Sequence, residues 1–473
     1  MMKKLLSTLL LALMATAMQA ATVKFGKGRL SVKTVAHNAV RIQYTSDGSA
    51  TSATPLPDWL YVKHDEVKTD ELKVNVDARR QTVTISDKTG RTVFRATGHQ
   101  LTNGQATLVF DSPADEHLFG LGQFQDGYAD VRGLSRRLTQ VNTQISIPML
   151  LSSKGYGVLW NNYGLTEFNP CNQSVTLTKR SGAGEREVVN VTSTEGGKRE
   201  VRERHIFEAS IDVSETGDYA LLLDVGQQMA RRHNLAIDGQ TVIEMQNLWL
   251  PPTASAIVRL TKGSHTLSAE LTKDDKPVLY YNKVKAETVF RSPVAEAVDY
   301  TVFVGSPDEV IATYRELTGE CPLMPRWALG YIHCRERFHS SEEILQTANR
   351  FRQEHMPVDV LVQDWQYWGK HGWNSMQFDE DYYPDPKALT DSLHKMNMRL
   401  MLSVWSKIDK NYTVGRQMQL LPIGSISVSD WCPWVLMPGG RMPLSQKTMI
   451  WQGDVLTRAY GLESRCAMYI RYW

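Results

Sequence analysis

Pro357-Val358-Asp359-Val360-Leu361-Val362-Gln363-Asp364-Trp365-Gln366-Tyr367-Trp368 is the stretch that decides how the C-terminal part of this chain folds. Val358 to Val362 is a short apolar run that ends at a carboxylate and a group of aromatic rings, and it reads as a buried strand. Helical patterns flank it, Ser341 to Glu354 before and Pro386 to Met396 after. Beyond them lie two more apolar runs, Ala328 to Ile332 and Leu400 to Val404. Ser340 followed by Glu343 is a capping-box signature for the first of these helices, and Asp308 to Thr318 reads as another helix further upstream. Strands alternating with helices at this spacing predict a parallel sheet.

In a parallel α/β barrel the chemistry sits beyond the C-terminal ends of the strands. The first run leads into His333, Cys334, Arg335, Glu336 and Arg337. The second leads into Asp364, Trp365, Tyr367 and Trp368, and the third into Trp405, Ser406, Lys407 and Asp409. A carboxylate beside aromatic rings suits a sugar, because a ring covers the apolar face of a pyranose while the carboxylate accepts hydrogen bonds from its hydroxyls. Asp364, Trp365, Trp368, Trp405 and Lys407 are therefore the candidate substrate-binding residues. Each has a plainer role open to it: Asp364 as the cap of the next turn, Trp368 and Trp405 as packing anchors, Lys407 as a solvated charge. Arg335 and Glu336 read best as an ion pair that fixes their loop.

Upstream the pattern changes to short β segments such as Val40 to Tyr44 and Thr82 to Ile85, punctuated by Asp, Gly, Ser and Pro, which argue for an antiparallel β-sandwich over residues 21–181. A second β-rich block, residues 182–281, contains Tyr219 to Leu223, Leu235 to Gln240 and Ala256 to Leu260. It reads as an insertion, because sandwich-like strands resume in residues 282–306 at Val298 to Val304. Residues 1–20 have the pattern of a signal peptide: Lys3 and Lys4, an apolar run from Leu5 to Met14, then Ala15, Ala17 and Ala20. That run is well short of the roughly 20 residues needed to span a bilayer, so a periplasmic or secreted product is expected, with no membrane span after cleavage.

Lys and Arg total 53 against 51 Asp and Glu, which leaves no strong field to attract nucleic acid or an anionic membrane and favours an uncharged partner. The five Cys are scattered without metal-ligand or redox spacing, so neither a metal nor a cofactor is expected. An oxidising compartment would permit a disulfide, and the sequence does not choose its partners.

Pro325 to Tyr331, Arg335 to Phe338, Pro357 to Val360 leading to Asp364-Trp365, and Ser403-Val404-Trp405 together resemble the opening of a family-31 glycoside hydrolase barrel. Phe119-Gly120-Leu121-Gly122-Gln123, Ser152 to Gly157 and Trp160-Asn161-Asn162 are similar to that family's N-terminal sandwich. The inserted block resembles a PA14 module through Gly217-Asp218-Tyr219, Ile237-Asp238-Gly239 and Lys262 to His265. The resemblance implies a sandwich with an inserted PA14-like domain, then the first part of a (β/α)8 TIM barrel in residues 307–416. It also implies a retaining exo-α-glycosidase that removes terminal α-xylosyl residues from xyloglucan-type oligosaccharides. The alternatives are an α-glucosidase of the same family and a non-catalytic glycan-binding protein.

Retaining hydrolysis needs two carboxyl groups, and the resemblance puts both beyond the recognisable region, so none is assigned as catalytic. About 150 residues follow Pro325, against the roughly 250 of a complete eightfold barrel. Residues 417–473 carry three acidic residues against four Trp, without periodicity, a composition that a shifted reading frame would produce. Asp454 has no apolar strand ahead of it and is not taken as a nucleophile. The expectation is a truncated and inactive barrel.

Overall fold

The computed structural model describes residues 21–46 and 67–403, apart from 140, 142, 163–164, 183, 194–195, 228–229, 320–322, 336, 373–374 and 376. The described residues fall into two units, one holding those up to 182 and from 205 to 319, the other those of 184–204 and from 323 onward.

In the first unit, alternating residues build two seven-stranded sheets. Along Thr82–Asp87, Val83 and Ile85 are fully buried while their neighbours are partly exposed, the period-two pattern of a strand with one face in a core. One sheet runs in the order Ala21–Phe25, Gly28–Ala36, Ala39–Ser46, Val298–Val304, Tyr156–Trp160, Ile145–Ser152, Leu118–Gln123. The other runs Leu72–Asp77, Thr82–Asp87, Thr92–Thr102, Gln105–Asp111, Glu287–Ser292, Thr166–Phe168, Arg136–Leu138. Their shared core includes Phe94, Phe110, Trp160, Phe290 and Tyr300, with Trp160 stacked on Phe290 at 5.7 Å. A buried ion pair crosses the first sheet, with Arg41 donating to both carboxylate oxygens of Asp299 at 3.0 and 2.7 Å.

Glu287–Ser292 and Val298–Val304 lie inside these sheets, so the chain between Phe168 and Glu287 is an insertion in the topological sense. It forms a four-stranded and a six-stranded sheet around their own core of Leu221, Leu223, Leu235, Ala269 and Leu279. Asp238 and Gly239, both at positive φ, make the two-residue turn between Ala230–Ile237 and Gln240–Leu250. The insert's strands begin at Gln173–Thr176, ahead of the expected residue 182, because that strand is mostly polar and exposed and shows no apolar alternation.

Helix α1 (Pro307–Thr318) corrects the expected barrel boundary at 307. Its Val310 and Leu317 pack with Val35, Ala39, Leu159 and Phe303, so it belongs with the sandwich. It also carries the complete capping box, Ser306 with Glu309.

The second unit contains three parallel strands in the order Ile332–Cys334, Val360–Gln363, Arg399–Leu402, with α2 (Ser341–Gln353) and α3 (Pro386–Lys395) between them. Ile344, Ala348, Leu361, Leu389 and Leu393 form the core between helices and sheet. The first strand starts later than expected. Arg326–Leu329 is a 3₁₀ turn entered from Pro325 and ended at Gly330, which leaves only Ile332 to Cys334 to pair. The unit also contains a ribbon in which Glu185–Ser193 pairs with residues 196–204, where Glu185 faces Arg204, Arg186 faces Glu203 and Glu187 faces Arg202. Among the described residues no helix is long and apolar enough to cross a membrane.

Candidate functional site

Parallel pairing sets Cys334 beside Val362 and Val362 beside Met401, so the three strands deliver Arg335, Asp364 and Ser403 at one edge of the sheet. The Ser403 amide donates to the Gln363 carbonyl at 3.1 Å, which carries the pairing to the point where Asp364 leaves the strand. The Asp364 carboxyl is half-buried. Burial pushes its pKa above the usual carboxylate range, and a hydrogen bond from Ser403 pulls in the other direction. Cys334 feels the same neighbourhood: burial, then the charge of Asp364, raise its thiol pKa. Asp364 thus stands among the strand ends, a carboxyl with incomplete hydration and one protein hydroxyl in place.

The aromatic residues after it divide. Trp365 is partly buried against the core, with the Arg337 guanidinium 5.3 Å from its ring centre. Gln366 turns the chain at φ +67°, and Tyr367 and Trp368 are then each only 2% exposed, their rings edge to face at 4.9 Å. Trp368 therefore takes the packing role instead of presenting a ring to a ligand. Two acidic side chains hold the loop. Asp379, 3% exposed, accepts from the amides of Lys370 at 3.0 Å and Asp381 at 3.1 Å. Gly369 sits against it at φ +42°, where a Cβ would lie 1.9 Å from Asp379 Oδ2. Glu380 is held at a pKa of about 2, by its backbone amide first and then by His371 and Lys370.

Arg335 has a partner among the described residues. It pairs with Glu343 of α2 at 2.9 Å, and Glu343 also accepts from the His339 amide at 2.6 Å. Only half of the expected capping box at α2 therefore forms: the Ser340 hydroxyl accepts from the Glu343 amide while the Glu343 side chain serves the preceding loop. Glu336, Trp405, Lys407 and Asp409 lie outside the described residues, as do residues 417–473.

Three positions carry little signal in the sequence. Ser403 stands out there only within the Ser403-Val404-Trp405 motif. Asp379 sits in an acidic run that reads as solvated surface. Gln363, fully buried, donates from Nε2 to the carbonyls of Phe338 at 3.2 Å and Trp365 at 3.3 Å, which ties the start of the Asp364 loop to the loop after the first strand. A polar residue closing an apolar strand was its only signal. Among the described residues no group of His, Cys, Asp and Glu is arranged to hold a metal. The strand ends described here present one carboxyl, which can accept hydrogen bonds from a sugar but does not make a double-displacement pair.

Residues 321–424 match the family model described as glycosyl hydrolases family 31 TIM-barrel domain. The chain is similar to an α-xylosidase of Saccharolobus solfataricus, 25% identical over 425 residues, covering 84% of this chain and 43% of the relative. Over 106 residues it is 35% identical to α-glucosidase 2 of Bacillus thermoamyloliquefaciens, covering 22% of this chain and 13% of that enzyme. The fold is that of the family-31 α-xylosidase of Xanthomonas citri, with a TM-score of 0.71 at 22% identity over 94% of this chain and 56% of the other. The chain spans less than half the length of the first two relatives.

Proposed function

From a chain of the family-31 α-xylosidase and α-glucosidase lineage, we propose the sugar-recognising front of a retaining exo-α-glycosidase that acts on terminal α-xylosyl residues of xyloglucan-type oligosaccharides in the periplasm or outside the cell. The observation that carries this reading is Asp364. It is a half-buried carboxyl at the end of the second parallel strand, with Ser403 beside it and Trp365 adjoining. A carboxylate that has already lost part of its water gains more from two adjacent sugar hydroxyls than an exposed one does. In this proposal Asp364 binds the non-reducing sugar, with Trp365, Trp405 and Lys407 contributing to the same subsite. The hydrolytic carboxylate pair is not assigned to any residue, and recognition without turnover is the expected behaviour of this chain.

The α-glucosidase alternative has its own support in the 35% identity over 106 residues to an α-glucosidase. The two readings differ in whether the subsite accommodates a hydroxymethyl group at C5. The test is hydrolysis of p-nitrophenyl α-xyloside and α-glucoside by the purified chain, with Asp364→Ala as control. No turnover by soluble, folded protein that still binds the xyloside agrees with the proposal. Turnover that vanishes in Asp364→Ala would mean that a carboxylate pair is present after all, and preference for the glucoside would move the substrate from xylose to glucose.

A further inference from the structure

We propose a second sugar-binding site, within the first unit, where the loop after Leu118–Gln123 meets the insert strand Gln240–Leu250. It rests on the sugar-recognition reading above but uses none of the barrel residues. A cleft of about 210 Å³ opens there, lined among others by Gln125, Asp126, Tyr128, Glu244, Met245 and Ser255. That volume takes one ring of an oligosaccharide and is too small for a drug-sized ligand.

The foot of the cleft is fixed. Arg136, 2% exposed, donates to both oxygens of Asp126 at 2.7 Å and lies 4.0 Å from the centre of the Phe124 ring. A buried ion pair of this kind contributes little net stability. Its effect here is to hold Asp126 in place, and Asp126 in turn accepts the Tyr128 amide at 3.3 Å across Gly127, which sits at φ +80°. The Tyr128 hydroxyl accepts from the Ile257 amide at 3.1 Å, so the sandwich loop is tied to the insert and its own hydrogen is available to donate. Glu244 stands on the opposite wall with its side chain 63% exposed and Arg232 at 3.7 Å.

The wall is therefore mixed. An exposed tyrosine and Met245 offer apolar surface, Gln125 and Tyr128 offer donors, and Glu244 and Asp126 offer acceptors. The paired charges leave no strong net field. Hydroxyls that both donate and accept around an apolar ring match that set, whereas an anion would meet the carboxylates of Glu244 and Asp126, and each of these already has a guanidinium partner, Arg232 and Arg136, which weakens its pull on a cation. The ligand class is an uncharged sugar residue within an oligosaccharide.

Hydrogen exchange of the whole chain, followed by mass spectrometry with cellotetraose as the probe, tests this. The expected result is slowed exchange in residues 124–128 and 242–246, saturable with cellotetraose, weakened about fivefold or more in Glu244→Ala and Gln125→Ala, and unchanged in Asp364→Asn. Both substituted side chains are exposed, so folding is not at stake. Absence of protection in those segments, or protection equal in both variants and the parent, would overturn the site. Failure of the barrel reading shows separately, as absence of protection around residues 363–370 with methyl α-xyloside.

Discussion

Two histidines buried in different cores make this chain sensitive to mild acid. His99 lies in the sandwich core between Phe25 and Tyr300, its Nε2 2.8 Å from the Tyr300 hydroxyl. His233 lies in the insert, fully buried, with Nε2 2.8 Å from the Pro251 carbonyl. Because that carbonyl can only accept, Nε2 of His233 carries the proton and Nδ1 remains without a partner. Burial depresses the pKa of both from 6.5 to about 4. Between those values the unfolded chain binds protons that the folded chain refuses. The stability these neutral rings contribute is present above about pH 6.5, is lost as pH falls toward 4, and changes no further below. At pH 5 the loss is ~2 kcal/mol for each histidine, a large part of a typical net stability of roughly 5–15 kcal/mol. Urea unfolding at pH 7, 6 and 5 should be compared between the parent, His233→Gln and His99→Gln. Glutamine keeps a nitrogen donor and does not titrate, so each variant should lose ~2 kcal/mol less than the parent over this range, whatever its stability at pH 7. Carboxylates that titrate in the same range act equally on all three proteins. Parallel pH profiles for parent and variants would refute the reasoning.

Asp299→Ala leaves the Arg41 guanidinium buried without its bidentate partner and also removes the acceptor of Gln43 and Asn161. A loss of about 3–5 kcal/mol is expected in the unfolding free energy of the sandwich, measured by urea titration, and a loss below about 1 kcal/mol would contradict this. Gly369→Ala places a Cβ against Asp379 at a backbone angle that favours glycine. It should destabilise the 364–383 loop by about 1–3 kcal/mol, seen as faster proteolytic cleavage there, while the sandwich is unaffected. His265 behaves oppositely to the two buried histidines. Asp238, then the Thr261 carbonyl, raise its pKa above 6.5, so its contribution is present below that value and is lost as pH rises through the raised one. Scanning the thermal midpoint of the insert from pH 6 to 9 should show a decline in the parent that His265→Gln lacks.

The extent to which these features could be read from the sequence depended on how locally each is encoded. The parallel strands were legible because Val358 to Val362 and Leu400 to Val404 are apolar runs bounded by helices with clear N-caps. The insertion was legible because Val298 to Val304 resumes the earlier pattern. Features that rest on long-range partners were hidden. Helix α1 has the same amphipathic pattern whether it packs on a barrel or a sandwich, and only its contacts with Val35 and Phe303 assign it. Strand Gln173–Thr176 is held by pairing with Val278–Lys283, about a hundred residues away, and its own residues do not announce it. At the site, Asp364 could be picked out because a carboxylate ending an apolar strand is locally unusual. That Trp365 stays near the surface of the core while Trp368 turns into it is decided by the positive φ of Gln366, which composition does not reveal. Glu343 serving Arg335 and His339 in place of the Ser340 amide is likewise a choice among partners that spacing alone leaves open.

The proposed role of Asp364 is to bind a sugar. The measurement is titration of the chain with methyl α-xyloside by calorimetry, repeated with Asp364→Asn, which keeps the shape of the side chain and removes its charge. Loss of the hydrogen bonds to a charged acceptor predicts saturable binding by the parent that weakens about tenfold or more in the variant. Equal affinity in the two proteins would contradict the central claim and leave Asp364 as no more than the cap of its own loop.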